Sequence, residues 1–159
     1  MIKPKKAPYA TTTKDPDTSI ADINRMLRSY GINDIQWTTL WDAKRVELRF
    51  MVEKEAGKSV GILIIPPLFA AKRRTWIEKR GRYETIESPS WSQSMRLLYW
   101  WLKVKIESIA YGLREVEEEF LHDVLVRLPD GTETTIGSAI MPGLKEGKLD
   151  LPQLGEHRD

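Results

Sequence analysis

The sequence predicts an α+β domain: a meander of three or four antiparallel strands packed against one long amphipathic helix and shorter helices. Two patterns carry this prediction. Val46, Leu48, Phe50 and Val52 alternate with Glu47, Arg49, Met51 and Glu53, the period of a strand with one buried face. Ser88–Tyr111 repeats instead at the helical period, with Met95, Leu98, Leu102, Ile106 and Ile109 on one stripe. Leu97, Trp101 and Val104 widen that stripe, so the helix should lie deep against a sheet. Arg96, Trp100, Lys103 and Glu107 fall on the opposite side.

In chain order, residues 1–17 mix Lys, Pro, Thr and Asp without apolar periodicity and are expected to form a flexible basic arm. The domain proper should span 18–150. Ser19-Ile20-Ala21-Asp22 has the form of a capping box. Ile20, Ile23, Leu27 and Tyr30 then recur at helical spacing until Gly31 stops the helix. Ile35–Trp41 alternates as a strand, Asp42–Arg45 turns, and the strand centred on Leu48 follows. After a turn at Ala56-Gly57, Ser59–Ile65 reads as a third strand, apolar on both faces, ended by Pro66-Pro67.

Residues 70–87 break the pattern: between Lys72 and Arg82 six of eleven residues are basic, with Trp76 inside and Tyr83 just beyond. A short helix over 71–80 and a mobile loop both fit. Ser88 or Ser90 should cap the long helix, with Pro89 in its first turn. A second helical segment is expected over Glu115–Val126, with Val116, Phe120, Leu121 and Val124 on its apolar side. Pro129-Asp130-Gly131 marks a turn. Beyond it either a short strand or a helix from Thr135 towards Gly147, strained by Pro142, is expected, and 151–159 should be an extended tail.

Composition narrows the function. At 159 residues the chain can bury a core without metals or disulfides, and its 41% hydrophobic and 30% charged residues are those of an ordinary soluble protein. The absence of cysteine excludes disulfides, thiol nucleophiles and iron–sulfur ligation, and suits a cytoplasmic setting. With only His122 and His157, histidine metal sites and catalytic triads are short of parts. No apolar run is long enough to span a bilayer. The net charge of +2 conceals a division: residues 1–114 carry 21 Lys/Arg against 12 Asp/Glu, residues 115–159 carry 4 against 11. A basic face suited to a polyanion, with an acidic end elsewhere, is the implication; a solvated surface that merely segregates its charges is the plainer alternative.

Cations interleaved with aromatic rings are what a protein needs to hold an unpaired strand without regard to sequence, the former for phosphates and the latter for bases. Arg49, Lys72, Arg73, Arg74, Lys79, Arg80, Arg82, Arg96 and Lys103 are the candidate phosphate contacts, and Trp76, Tyr83 and Trp100 the candidate stacking rings. Trp37 and Trp41 are further candidates, although core packing is the simpler expectation for them, as for Trp91 and Trp101. No RNP hexamer, KH loop or zinc-finger spacing is present.

An enzyme finds little support. Glu115, Glu117, Glu118 and Glu119, or Glu47 with Glu53, could supply carboxylates for a metal nuclease, but consecutive helical glutamates point apart. Gly57-Lys58-Ser59 resembles the end of a phosphate-binding loop without its first glycine or a following helix. No catalytic residue, metal or cofactor is expected.

Several segments carry a likeness. Thr11–Thr13, the helix from Ser19 to Gly31, Ile64-Ile65-Pro66-Pro67-Leu68, Leu102–Ser108, Glu117–Leu121, Leu128–Thr132 and Gly147 to Leu151-Pro152 occur in order. In these the chain resembles a family of small phage and prophage proteins over most of residues 11–155. The resemblance implies a viral or mobile-element setting and little chemistry. The segment between Pro67 and Trp91 departs from that family. A weaker likeness, of fold alone, is to the archaeal single-stranded-DNA-binding proteins called ThermoDBP. The expected function is therefore sequence-nonspecific binding of single-stranded nucleic acid, DNA favoured over RNA, by a non-enzymatic homo-oligomer such as a dimer. A phage structural or accessory protein acting through protein contacts is the alternative, and a metal nuclease the least favoured.

Overall fold

The computed structural model describes residues 8–54 and 57–147. Its architecture is α+β with antiparallel sheets throughout. Helix α1 spans Pro16–Ser29, three residues earlier than the Ser19 capping box predicted. Asp15 is the true N-cap: its side chain accepts from the Thr18 N–H at 2.7 Å, and Pro16 supplies a preset first helical turn. Ser19 is buried inside the helix, and Asp22 binds Lys14 rather than the backbone. The last residues assigned to the arm thus belong to α1, and Pro8 is tied down through its carbonyl, which accepts from Gln93 Nε2. The rest of the expected arm, 1–7, and the expected tail, 151–159, lie outside the described residues.

Strands β1 (Ile35–Leu40), β2 (Arg45–Glu53) and β3 (Ser59–Ile64) form the predicted meander, with Trp37 opposite Leu48 and Phe50 opposite Ile62. Leu48, Phe50, Ile62 and Ile64 share one face and meet Ile23 and Leu27 of α1. The long helix α2 (Trp91–Ala110) closes this core with Met95, Leu98, Leu102 and Ile106. The predicted stripe is therefore the buried one. Its expected widening is not: Val104 is exposed and Trp101 half-covered.

Residues 70–87 form neither a helix nor a loop. Strands β4 (Phe69–Ile77) and β5 (Arg82–Ser90) pair over their whole length as a two-stranded ribbon, turned by a 3-10 segment at Glu78–Arg80 and by Gly81 at φ 57°. The β-branched or aromatic Thr75, Trp76, Ile77, Tyr83, Thr85 and Ile86 suit strands, and the left-handed turn position is one glycine takes without strain. Pro89 lies in β5 instead of the helix, and Ser90 flanks α2 without a side-chain cap.

The predicted 115–126 helix also gives way. Only Val116–Glu119 (α3) is helical, started by a capping box in which Glu115 and Glu118 hold each other's backbone N–H. Phe120 then turns fully into the core, edge-on to Phe50 at 5.8 Å, and a 3-10 turn follows. Val124 bridges Ile62, so β6 (Leu125–Arg127) continues beside β3 and pairs with β7 (Glu133–Thr135). Tertiary pairing with the sheet overrides the helical pattern. Both alternatives beyond Gly131 occur in succession: β7, then α4 (Ile136–Lys145), capped by Thr135 Oγ1 and holding Pro142 within it.

Candidate nucleic-acid interface

Eight of the predicted residues are gathered on the ribbon. Side chains alternate across a pleated strand, so the register places Lys72, Arg74 and Trp76 on one face with Tyr83, Thr85 and Glu87. Arg73, Thr75 and Ile77 share the other with Arg82, Glu84 and Ile86. From Lys72 to Glu87 every residue except Ile77 and Glu84 is exposed, so the ribbon projects from the body. Its root is held where the Phe69 N–H donates to Ser94 Oγ at 3.1 Å.

Near the turn, Trp76 and Tyr83 pack edge to face at 5.1 Å, yet stay 49% and 57% exposed. The Arg74 guanidinium lies over the Tyr83 ring at 4.9 Å. The cations are not equivalent. Arg80 and Arg82 both grip Glu84, each at 2.9 Å, whereas Lys72, Arg73 and Lys79 form no ion pair with any described residue.

A second cluster lies on α2. Arg96 is sandwiched over Tyr99 at 4.7 Å and Trp100 at 4.9 Å and reaches Asp22 at 3.8 Å, leaving its side chain 18% exposed. It ties α2 to α1, so the expectation of an open phosphate contact does not suit its placement. Lys103 lies over the other predicted ring, Trp100, at 5.4 Å and reaches Glu107 at 3.7 Å. Arg49 is likewise engaged, by Glu133 at 2.7 Å and Glu47 at 3.8 Å. Trp37 packs against the core and donates its indole N–H to Asn24 at 2.9 Å. Trp41, expected to be buried, begins the β1–β2 turn and is 78% exposed.

Two residues that sequence reasoning did not single out for binding, Trp91 and Asp17, line a cavity of about 190 Å³ together with Trp41. Core packing is the simpler expectation for Trp91, which does pack partly buried against the core, and the expected arm included Asp17, which lies in α1.

Of the carboxylates considered for a metal, Glu119, Glu117 and Glu47 are engaged elsewhere. Glu119 receives Lys105 Nζ at 2.9 Å and Ser108 Oγ at 3.1 Å, and the lysine hydrogen bond leads in holding its carboxyl below the usual range. Glu117 is lowered chiefly by its hydrogen bond from Lys54, and Glu47 pairs with Arg45 at 2.6 Å. Among the described residues no three His, Cys, Asp or Glu side chains converge to hold a metal, and no helix is long and apolar enough to cross a membrane. No protein-family model matches the chain, and no curated protein or solved structure matches it significantly.

Proposed function

We propose that this is a sequence-nonspecific single-stranded nucleic-acid-binding protein, with DNA the favoured form, of viral or mobile-element origin and cytoplasmic in its host. The observation that carries the proposal is the projecting ribbon, which sets cations without an ion pair among the described residues on both faces, beside an exposed Trp76–Tyr83 pair. Phosphates meet Lys72, Arg73, Arg74 and Lys79, and unstacked bases meet the two rings. Trp100 with Lys103 offers a further ring and cation on the body. No bond is made or broken; the work is electrostatic attraction and stacking.

A labelled single-stranded oligonucleotide, titrated at two salt concentrations by anisotropy and tryptophan quenching, tests this. Binding that weakens with salt and quenches tryptophan is expected. A two-stranded ribbon also fits the duplex major groove, so tighter binding to duplex of the same length, or no binding at low salt, refutes the proposal.

A second reading, an accessory protein acting through protein contacts, is favoured by the uncovered side of α2. Leu97 and Trp101 line an apolar groove of about 280 Å³ with Ile65, Pro66 and Pro67, and Val104 is exposed on the same widened stripe. That face suits a homodimer, which would carry two ribbons and bind long strands by avidity. Light scattering at several concentrations reads its stoichiometry.

A further inference from the structure

We infer that the cavity between Trp41 and Trp91 is a slot for one unpaired base bearing an amino group at pyrimidine C4 or purine C6, cytosine or adenine rather than thymine. The inference rests on the nucleic-acid proposal above and names a second point of contact for it.

The cavity has the composition of a base site. Buried Val46 and Met95 form an apolar floor, and Trp41 stands open at the rim. Its volume, about 190 Å³, lies below the roughly 300–1,000 Å³ of pockets that take drug-sized ligands, so it suits a single flat ring. The polar groups decide which ring. Asp17 at the first turn of α1 and Thr39 at the end of β1 complete the lining, and the Asp17 side chain has no ion pair or hydrogen bond with a described residue. A carboxylate repels phosphate and accepts from an amino group, as acidic side chains do from cytosine N4. Thymine presents a carbonyl oxygen at that position, which the same carboxylate disfavours.

The placement joins this slot to the ribbon. Trp91 follows directly on Ser90, the last residue of β5, so the slot opens at the ribbon's root while Tyr83 marks its far end. Seven residue steps separate Tyr83 from Ser90, roughly 24 Å at the strand rise, a span for several nucleotides of one extended chain. A single strand lying along β5 can thus stack near both ends, with its phosphates held between.

The test compares oligodeoxycytidylate with oligothymidylate of equal length, pyrimidines that differ in the C4 amino or carbonyl group, the N3 proton and the C5 methyl group. Anisotropy titrations are run at one salt concentration on the parent, on Asp17→Ala, on Trp41→Ala, and on the ribbon variant Lys72→Ala/Arg73→Ala/Lys79→Ala. Cytidylate should bind the parent about three- to tenfold more tightly, the range of one ordinary net hydrogen bond at a solvent-exposed carboxylate. Asp17→Ala should bring the ratio to about one, and Trp41→Ala should weaken cytidylate by at least about fivefold through lost stacking. The ribbon variant should weaken both strands alike and keep the ratio. Equal affinities on the parent, or a ratio that survives Asp17→Ala, overturns the slot and leaves the ribbon proposal standing. A preference abolished by Asp17→Ala with no effect of the ribbon variant does the reverse. Failure of both strands to bind overturns both.

Discussion

Replacing Lys72, Arg73 and Lys79 by alanine removes the ribbon cations that no described acidic side chain engages, and the size of the effect follows from the charge count. Six basic residues lie between Lys72 and Arg82, but Arg80 and Arg82 are held by Glu84. That leaves Arg74 and the three free cations, so about four phosphates are neutralised if each meets one. For single strands the logarithm of the binding constant falls with that of salt with a slope near −0.7 per phosphate, giving about −2.8 for the parent and about −0.7 for the triple variant. Raising salt fourfold should therefore weaken the parent about 50-fold and the variant about threefold. Anisotropy titrations across that range, with circular dichroism to confirm that the exposed substitutions leave the fold intact, measure both slopes. Equal slopes in parent and variant would show that these cations do not meet phosphate, and the ribbon would lose its assigned role.

Other outcomes follow from particular contacts. Glu84→Gln should release Arg80 and Arg82, steepening the salt slope by as much as about 1.4 and tightening binding at low salt; an unchanged slope means both arginines point away from the strand. Trp76→Ala should cost about 1–3 kcal/mol of binding and leave the melting temperature unchanged, because the ring is half exposed on a ribbon outside the core. Phe120→Ala should destabilise by about 3–5 kcal/mol, read by urea denaturation, since it empties a fully buried ring site against Phe50 and Trp101. Glu119→Gln should cost about 1–3 kcal/mol at neutral pH by weakening the Lys105 and Ser108 contacts. Its folded pKa lies below the ordinary 4.5, so the parent's advantage is present above that value and vanishes as pH falls through the folded one. A stability gap that persists in acid would assign the loss to packing instead.

The elements legible in the sequence are those with one wet and one dry face. Val46, Leu48 and Phe50 announce β2, and Met95 through Ile106 announce α2, because burial selects apolar residues at the period of the element. The ribbon has no dry face. Lys72, Arg74 and Thr85 lie on one side and Arg73, Thr75 and Glu84 on the other, so period two leaves no hydropathy contrast. Strands β6 and β7 are three residues each and owe their state to Ile62 across the gap, which local pattern does not contain. Charge was legible at the candidate site, but partnership was not. Asp22 is 74 residues from Arg96 and Glu133 is 84 from Arg49, and only the folded chain shows that these arginines are already engaged.

The slender attachment of the ribbon has a consequence for how changes in the chain are felt. Two strands without a third partner or a packed face are at best marginally stable alone, and here they add little to the cooperative core formed by α1, α2 and the meander. Opening of the ribbon is then a local event, separate from global unfolding. Substitutions between Lys72 and Glu87 should be nearly silent in a melting curve, while their amides exchange with solvent far faster than those of β2. The tip is accordingly free to vary under selection for what it touches, while the body beneath is held to what it must bury.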